Sequence, residues 1–410
     1  MMSKEKRRVP KLRFPGFTED WEQRKLSDIS TKVTTKNVDV HYTETLTNSA
    51  EQGIISQVDF FDKEISNKDN INGYYIVENN DFIYNPRIST LAPVGPINRN
   101  KLNRTGIMSP LYTVFRASKV DLGFLEWYFQ SNHWHRYMKL NGDSGARADR
   151  IAIKDSTFFD MPIKTPVNIK EQVLIGETLE KFNQYITLHQ RKLDNLKLKK
   201  KTLLQKLFPK NGERYPELRF PGFTDAWEQR KLSDVLVERN EQQVETREYP
   251  LMSFVQGLGV TPKGERYDRS FLVLDQSKKY KRTELGDFIY SSNNLETGSI
   301  GINKTGKAVI SPVYSIFQGV SIGDSQFIGI MSLLPRFIAK MIRFRQGVVY
   351  GQWRIHETDF LDISVLIPSV DERTKITQLI LSIEELITLH QRKLDHLQLQ
   401  KKALLQQMFV

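Results

Sequence analysis

The chain has 410 residues, 39% of them hydrophobic, which allows two or more domains with apolar cores. It has no cysteine, so disulfide bonds, thiolate nucleophiles and cysteine-bound zinc are excluded. No apolar run approaches the roughly 18 residues of a membrane span, and the basic N-terminus lacks the apolar segment of a signal peptide. We therefore expect a cytoplasmic protein with no membrane partner. The net charge of +12 favours a polyanionic partner such as a nucleic acid.

The chain begins with a block that occurs again near its middle. Residues 12–28 read LRFPGFTEDWEQRKLSD and residues 218–234 read LRFPGFTDAWEQRKLSD, with fifteen of seventeen positions identical. The segment ITLHQRKLD also occurs twice, at 186–194 and at 387–395. Two copies of one unit of roughly 200 residues are therefore predicted. The copies differ most between these blocks, which favours one kind of task performed on two targets. The first block itself is interpreted as a clamp between a globular domain and the base of a helix.

The first part of each copy reads as a compact α+β domain. Strand-like runs (FIYNP, LYTVF, VYSIF and ISVLIP) alternate with turn residues. A helix is predicted over Phe124 to Leu140, and another over Phe327 to Phe344 that Pro335 should kink or split. We place the first domain at 1–167 and the second at 216–369.

The second part of each copy reads as a long helix, over about 169–207 and about 370–408. Apolar residues recur in alternating steps of four and three, the a/d seam of a coiled coil. In the first helix the seam is Ile175, Leu179, Phe182, Ile186, His189, Leu193, Leu196, Lys200, Leu203 and Leu207. In the second it is Ile376, Ile380, Ile383, Ile387, His390, Leu394, Leu397, Lys401, Leu404 and Met408. Each helix should be about 58 Å long at 1.5 Å per residue.

These seams predict that the two helices pair with each other. Pseudo-two-fold symmetry favours an antiparallel pair, with a central spacer at 168–215 and a C-terminal spacer at 370–410. The chain enters the second copy soon after Phe208, through Tyr215-Pro216-Glu217-Leu218, and enters the first through Val9-Pro10-Lys11-Leu12. The same symmetry therefore predicts that the C-terminus lies near residues 1–12. The predicted fold class is α+β, with two α/β-type domains in pseudo-two-fold repeat joined by two long antiparallel helices.

Motifs for catalysis are absent from the sequence. It contains no GxxxxGK[ST] phosphate loop and no GxGxxG after a strand. Asn85-Pro86-Arg87 starts like the Asn-Pro-Pro-aromatic loop of amino-methyltransferases but lacks the second proline and the aromatic residue. His133 and His135 flank Trp134 and are spaced for neither of the usual helical metal pairs, so an aromatic cluster is favoured. We predict no catalytic residue, metal or cofactor in this chain.

Basic residues in the variable parts of the copies are the candidates for DNA contact. Arginine can bind guanine in a bidentate manner and lysine mostly binds phosphate, although each single residue has a solvated surface charge as its alternative. In the first copy the candidates are Arg87, Arg99, Lys101, Arg104, Arg147 and Arg150. In the second they are Lys263, Arg266, Arg269, Lys278, Lys279, Lys281, Arg282, Lys304, Lys307 and Arg354.

The repeated helix segment supplies candidates for docking of another subunit. His189 and His390 occupy equivalent seam positions, where a polar residue more often fixes register than binds a partner. The residues beside them project off the seam and are identical in both copies, which favours docking over a merely solvated surface. These candidates are Gln190, Arg191, Lys192, Gln391, Arg392 and Lys393.

In combination, these features resemble the specificity subunit of type I restriction–modification enzymes. The resemblance is carried by the repeated block PxLRFPGFxxxWExxKLSD and by the Asn/Gly-Asp-Phe-Ile strands at 80–83 and 286–289. It is also carried by the Ser-Pro-x-Tyr strands and the ITLHQRKLDxLxLxKKxLLQ helices. It covers nearly the whole chain.

The resemblance implies two target-recognition domains, each reading one half of a split, asymmetric site in double-stranded DNA. The paired helices would act as a ruler for the gap and would dock two modification (methyltransferase) subunits, which restriction (endonuclease and translocase) subunits then join. S-adenosylmethionine, ATP and Mg would be bound by those partner subunits. Two alternatives stay open: a DNA adenine methyltransferase or nuclease in its own right, and a coiled-coil scaffold that binds only proteins.

Overall fold

The computed structural model describes residues 9–61, 68–143, 149–255, 259–262, 278–296, 299–348 and 352–410. They form two compact units, of which the first comprises the chain up to Gln190 together with Arg392–Val410 and the second comprises Arg191–Gln391. Each unit therefore combines one globular domain with segments of both long helices. Within the described ranges, every helix falls short of the length or the hydropathy that a membrane span requires.

The first unit contains ten strands among its described residues. They are β1 (Glu22–Lys25), β2 (Ser30–Lys32), β3 (Leu46–Ser49), β4 (Gly53–Ser56), β5 (Tyr75–Val77), β6 (Phe82–Tyr84), β7 (Ile97–Arg99), β8 (Gly106–Met108), β9 (Thr113–Ala117) and β10 (Pro162–Thr165). Its helices are α1 (Leu26–Ile29), α2 (Gln57–Phe61), α3 (Leu122–Gln130), α4 (His135–Asn141), α5 (Asp155–Phe159), the first part of α6 (Ile169–Lys206) and a 3-10 helix at Lys68–Gly73.

A four-stranded antiparallel sheet, in the order β2-β9-β6-β7, is the centre of the first unit. All three residues of β6 are buried, because both faces of the sheet are covered. Phe82 and Tyr84 belong to one apolar cluster and Ile83 to another, as expected when successive side chains of a strand point to opposite faces. The predicted strand at FIYNP is therefore confirmed, and the structure adds that its sheet is buried on both sides.

The second unit repeats this frame with additions. Its strands are β11 (Glu228–Lys231), β12 (Leu236–Glu238), β13 (Gln242–Gln243), β14 (Met252–Val255), β15 (Gly259–Pro262), β16 (Tyr280–Thr283), β17 (Phe288–Tyr290), β18 (Ile300–Ile302), β19 (Ala308–Ile310), β20 (Ser315–Gly319), β21 (Gln346–Val348), β22 (Gln352–Arg354) and β23 (Ser364–Ile367). Its helices are α7 (Ile322–Met331), α8 (Pro335–Ile342), α9 (Glu357–Leu361), the first part of α10 (Val370–Gln407) and 3-10 helices at Leu232–Asp234 and Ser292–Asn294. The central sheet has the order β12-β20-β17-β18, equivalent to β2-β9-β6-β7.

The turn before the central strand explains one difference between the copies. The first copy has Asn80 where the second has Gly286, and both adopt positive φ, 73° and 86° respectively. Glycine and asparagine are the residues that occupy this left-handed region most readily. In each copy the next residue is a buried aspartate, Asp81 or Asp287, whose carboxylate accepts a hydrogen bond from the backbone N–H three residues earlier, at 2.8 and 2.7 Å. Both copies therefore form the same turn, with asparagine at the left-handed position in one and glycine in the other.

The repeated sequence block fastens each domain to its long helix, as predicted. Arg13 donates two hydrogen bonds to Glu171 in the first turn of α6, at 2.7 and 2.9 Å. Arg219 binds Glu372 of α10 in the same way, at 2.7 Å for both contacts. Both glutamate side chains are 1% exposed, so these are buried charge-assisted pairs. The carboxylates also lie at helix N-termini, where the helix dipole favours negative charge.

The same block closes the domain onto its own last strand. β1 pairs antiparallel with β10 in the first unit, and β11 pairs antiparallel with β23 in the second. The lysine that ends each block strand binds an aspartate just before the partner strand: Lys25 with Asp160 and Lys231 with Asp362, both at 2.7 Å. Among the aromatic residues of the block, the tryptophans Trp21 and Trp227 are buried, while the phenylalanines are partly buried.

Within each unit the two long-helix segments run antiparallel, as predicted. In the first unit Lys401 donates to Asn183 at 2.8 Å, and Leu404 and Met408 share a cluster with Ile175 and Leu179. As one residue number rises, the number of its partner falls. In the second unit Lys200 binds Glu384 at 2.7 Å, and the apolar cluster includes Leu204 and Leu207 together with Ile376 and Ile380. The predicted seam residues are the buried or half-buried ones, which confirms the heptad assignment.

The C-terminal residues complete the first unit, which confirms the prediction from symmetry. The Leu12 backbone N–H donates to the Gln407 carbonyl at 2.9 Å, and Phe409 packs on Trp21 and Phe124. In the second unit Leu218 bonds Lys206 at the same distance, and Phe208 packs on Trp227 and Phe327.

The prediction of one helix over Phe124 to Leu140 was wrong. α3 ends at Gln130 and α4 begins at His135. Ser131 stops the first helix because its hydroxyl donates to the Tyr128 carbonyl at 2.6 Å and its backbone N–H caps the last turn. In the second unit α8 begins at Pro335, so the predicted split at this proline is confirmed.

Candidate nucleic-acid interface

Two arginines of the first unit, one exposed and one partly buried, lie at a bridge between two segments of chain. Arg87 pairs with Arg150 across an isolated antiparallel bridge. Asp149 lies near both guanidinium groups, at 3.6 Å from Arg87 and 3.9 Å from Arg150. Two cations therefore share one carboxylate through long contacts, which leaves an excess of positive charge at this edge of the unit. Arg147 belongs to the same loop in the sequence but lies outside the described residues.

The other candidates in the first unit are bound to acidic partners. Arg99 contacts Glu126 at 2.6 Å, and its side chain is only 16% exposed. Lys101 lies 3.2 Å from Glu126 and 3.3 Å from Glu180. Arg104 is more exposed but makes a bidentate pair with Glu44 at 2.7 and 2.6 Å. Arg99 thus contributes to the packing of β7 on α3, and Arg104 would have to exchange a carboxylate for a phosphate to bind DNA.

The candidates of the second unit follow a similar division. Lys278 and Lys279 are exposed at the start of β16, whereas the next candidate, Lys281, is buried and lies 4.0 Å from Glu357. Arg282 binds Glu241 at 2.8 Å, and its guanidinium lies 4.7 Å from the centre of the Tyr249 ring. This geometry is that of a cation–π contact.

The remaining candidates of the second unit lie at separate places on its surface. Lys307 binds Glu248 and lies 5.6 Å from the Tyr249 ring, so Lys307 and Arg282 form one cluster on that tyrosine. Lys304 binds Glu384 of α10 at 2.5 Å. Arg354 is 56% exposed, and the nearest carboxylate among the described residues, on Glu357, is 3.6 Å away. The candidates outside the described residues are Lys263, Arg266 and Arg269.

The docking candidates lie on the outer surfaces of α6 and α10. Arg191, Lys192, Arg392 and Lys393 are exposed, while Gln190 and Gln391 are partly buried. Sequence reasoning overlooked the apolar residues on the same surfaces. On α6 these are Tyr185 and Leu188, and on α10 they are Leu386 and Leu389, all exposed. Their signal was available, because Leu188 and Leu389 are identical off-seam residues within the repeated helix segment.

The histidines of the first unit pack among aromatic side chains. Trp134 is buried and its indole N–H donates to the Phe129 carbonyl at 3.0 Å, while His133 lies 6.1 Å from the Phe409 ring. Burial lowers the pKa of His133 and of His135 below the usual value for histidine. No group of three or more possible metal ligands occurs among the residues that the structure describes.

The second unit also contains a cavity of about 600 Å³ that the sequence did not indicate. Its lining is mainly apolar, from β18, α7, α8 and α10, and includes Ile302, Gly329 and Leu381. At one side lie Lys200, Lys304 and the Glu384 carboxylate that binds both.

Comparison with known proteins identifies the fold. No protein-family model and no curated protein matches the chain. Among solved structures, the chain is similar to the type I restriction–modification S subunit from M. genitalium, with 12% identity and a TM-score of 0.61 over 98% of this chain and 99% of that one. The two chains share a fold. This confirms the predicted fold class, with two mixed domains and long paired helices.

Two further structures are similar over most of their length. The HsdS subunit from Thermoanaerobacter tengcongensis is 15% identical, with a TM-score of 0.45 over 97% of this chain and 98% of that one. A chain from a structure of type I R-M complex assembly and conformational transition is 13% identical, with a TM-score of 0.45 over 98% and 99%. A TM-score of this size is too low to add to the assignment of the fold.

Proposed function

We propose that this chain is the DNA sequence-specificity subunit of a type I restriction–modification complex, in which each globular domain reads one half of a split, asymmetric site. The observation that carries the proposal is a shared frame with different contents. Both units have the same buried Arg–Glu pair and the same sheet order, whereas their exposed cations lie on different elements. Two domains that recognised the same DNA sequence would be expected to carry the same exposed cations.

The exposed cations indicate which residues make the first contacts with DNA. Arg87, Arg150 and Arg354 have only long contacts with carboxylates, and Lys278 and Lys279 are exposed. As far as the described residues are concerned, these five can bind phosphate or base edges without first giving up a short ion pair. Phosphate contacts made by such residues position a protein on the duplex and make its affinity depend on salt.

Catalysis in this proposal belongs to the partners. Two modification subunits dock on the outer surfaces of α6 and α10, and restriction subunits join them. The exposed apolar side chains of Leu188 and Leu389 lie on the same helices as exposed cations, and an apolar centre within a charged rim is typical of a protein interface. S-adenosylmethionine, ATP and Mg would be bound by the partner subunits, and this chain would only direct their activities.

The proposed role of the paired helices is to set the gap between the half-sites. One heptad inserted after Gln190 and another after Gln391 would continue both seams. Seven residues lengthen a helix by about 10.5 Å, which corresponds to about three base pairs. We expect a methylated site with the same half-words and a gap about three base pairs longer. A change in the half-words instead would contradict this role.

The decisive experiment is co-expression with the modification subunit and mapping of adenine methylation across a genome. We expect a split motif with two unrelated half-words and no methylation when either protein is omitted. Methylation or cleavage by this chain alone would favour an enzyme. A purified complex that binds DNA without sequence preference or salt dependence would favour a protein scaffold.

A further inference from the structure

The second unit carries a two-stranded β-ribbon that the central sheet does not include. β21 and β22 pair antiparallel, with Gln346 opposite Arg354, Gly347 opposite Trp353 and Val348 opposite Gln352. Directly opposed side chains lie on the same side of such a pair, and neighbours along a strand lie on opposite sides. One face therefore presents Gln346, Gln352 and Arg354, and the other face presents Trp353.

The base of this ribbon is held firmly by the 3-10 helix at Ser292–Asn294. The Trp353 backbone N–H donates to the Asn293 side chain at 2.5 Å, and the Ile355 N–H donates to the Ser292 hydroxyl at 3.0 Å. Arg345 precedes the ribbon, binds Glu296 through two contacts of 2.6 and 2.7 Å, and lies 6.0 Å from the centre of the Trp353 ring. The ribbon is thus held at its base by backbone N–H groups and by the Arg345–Glu296 pair, and the side chains of its polar face take no part in these contacts.

The polar face is open to solvent. All three residues of β22 are exposed, and Gln346 is exposed on β21. Within the described part of the chain, these polar side chains make two long contacts: Gln346 donates to Asp359 at 3.2 Å, and Arg354 is 3.6 Å from Glu357. These groups are therefore available to a ligand at little cost in lost interactions.

In the first unit, the described residues that follow α4 form single bridges, between Asp143 and Ala152 and between Arg87 and Arg150. At the offset of 202 that aligns Phe158 with Phe360, the residues equivalent to Gln352 and Arg354 are Arg150 and Ala152. The side chains at these positions therefore differ between the two copies, and such differences are where unlike half-sites would be read.

We propose that the Gln346–Gln352–Arg354 face of this ribbon enters the major groove and reads bases of the half-site of the second unit. The proposal rests on the function proposed above and assigns that function to particular side chains. A two-stranded ribbon fits the major groove, glutamine pairs with the edge of adenine, and arginine pairs with the edge of guanine. Gln352 and Arg354 are two residues apart on one strand, so they can contact neighbouring base pairs.

The test uses the complete complex and a DNA library in which each base pair of the mapped site is changed singly. Arg354→Lys keeps the positive charge but loses bidentate recognition. We expect discrimination at one base pair of one half-word to fall about 10- to 100-fold, with the other half-word and the gap unchanged. Gln352→Ala should relax a neighbouring position. The matched control is Gly347→Ala on the opposite face, where an added methyl group meets nothing within 4 Å; it should leave every position unchanged.

The outcomes separate this inference from the proposed function. If the unaltered complex recognises no split site, the proposed function fails. If the unaltered complex recognises one and Arg354→Lys and Gln352→Ala both leave its base preferences unchanged, the ribbon is not the reading element. Equal weakening at every sequence would mean that the ribbon contacts only phosphate, and this also contradicts base reading.

Discussion

The two units share a backbone frame, yet they differ between the central sheet and the long helix. The first unit has ion pairs there, and the second has mainly apolar side chains. In the first unit Arg99 on β7 binds Glu126 on α3 at 2.6 Å, and Lys101 lies within 3.3 Å of Glu126 and Glu180. The register places Phe82 opposite Arg99, and in the second unit it places Phe288 opposite Ile302.

The corresponding side chains of the second unit are apolar or missing. Ile302 replaces Arg99, Gly329 replaces Glu126 and Leu381 replaces Glu180, and a cavity of about 600 Å³ lies there. A methyl group on Gly329 would lie 2.5 Å from the Ile302 side chain, so helix and strand approach too closely for a larger residue. The comparison shows that the frame depends on the repeated block and the helix seam. The residues between them can therefore change from ion pairs to apolar contacts without changing the fold.

The largest expected effect concerns the Arg–Glu pair that joins the repeated block to the long helix in both units. Glu171→Ala and Glu372→Ala each remove the buried partner of a largely buried arginine, and we expect each to destabilise its own unit by about 3 kcal/mol. The two losses should be similar. Hydrogen exchange of the β1–β10 and β11–β23 pairs measures each unit separately. Replacing Arg13 and Glu171 together with methionine should recover much of the loss in the first unit. Clearly unequal losses would show that the two frames are not equivalent.

The next prediction concerns the Arg99–Glu126 ion pair of the first unit. Glu126→Gly leaves the largely buried Arg99 without its main partner and should cost about 2–3 kcal/mol. Adding Arg99→Ile reproduces the chemistry of the second unit and should restore most of that stability. Hydrogen exchange of β7 and α3 measures both variants. If the double variant is less stable than the single one, the apolar residues of the second unit cannot replace the ion pair of the first.

A pH-dependent difference between the units follows from Glu384. Burial opposes its ionisation, but Lys200 and Lys304 hold its pKa below the ordinary value of 4.5. A lowered folded-state pKa stabilises the unit at pH above 4.5, and this contribution is lost as the pH falls through the lower folded value. The counterpart in the first unit is Asn183, which does not titrate. Acid should therefore weaken the helix pairing of the second unit more than its counterpart, and Glu384→Gln should remove the part due to this group. An unchanged acid response in Glu384→Gln would contradict this assignment.

The smallest expected effect is that of circular permutation. The contacts of Leu12 with Gln407 and of Leu218 with Lys206 are equivalent, at 2.9 Å. A chain opened within 209–214 and joined at its old termini should fold with a stability within about 1 kcal/mol of the original, and the complex should methylate the same site. Failure with both short and long joins would count against the symmetry.

Much of the frame could be predicted from the sequence because it depends on patterns with a fixed period or on direct repetition. The heptad seams, the buried FIY strands and the place of the C-terminus are of this kind. The helix break at Ser131 could not be predicted, because serine also occurs within helices. Here the helix ends through hydrogen bonds that Ser131 itself makes to the last turn. The pairing of Arg13 with Glu171 was also out of reach, since it joins residues 158 positions apart.

The candidate interface was less predictable for a physical reason. A basic residue in a loop looks the same whether it is exposed or paired, and only the structure distinguishes Arg99 beside Glu126 from the more exposed Arg354. Of the ribbon face, only Arg354 was a sequence candidate, because Gln346 and Gln352 carry no charge.

The central claim is that one repeated frame carries two domains, each of which recognises its own DNA half-site. A chain with two identical recognition domains tests this claim most directly. Residues 29–157 can replace residues 235–359, with the first join directly after the repeated block. The sequence repeat predicts pseudo-two-fold symmetry, and the symmetry of a DNA site mirrors that of the protein that binds it. We predict that the complex methylates an inverted repeat of the half-word of the first unit. Methylation of the original asymmetric site by this chain would contradict the account.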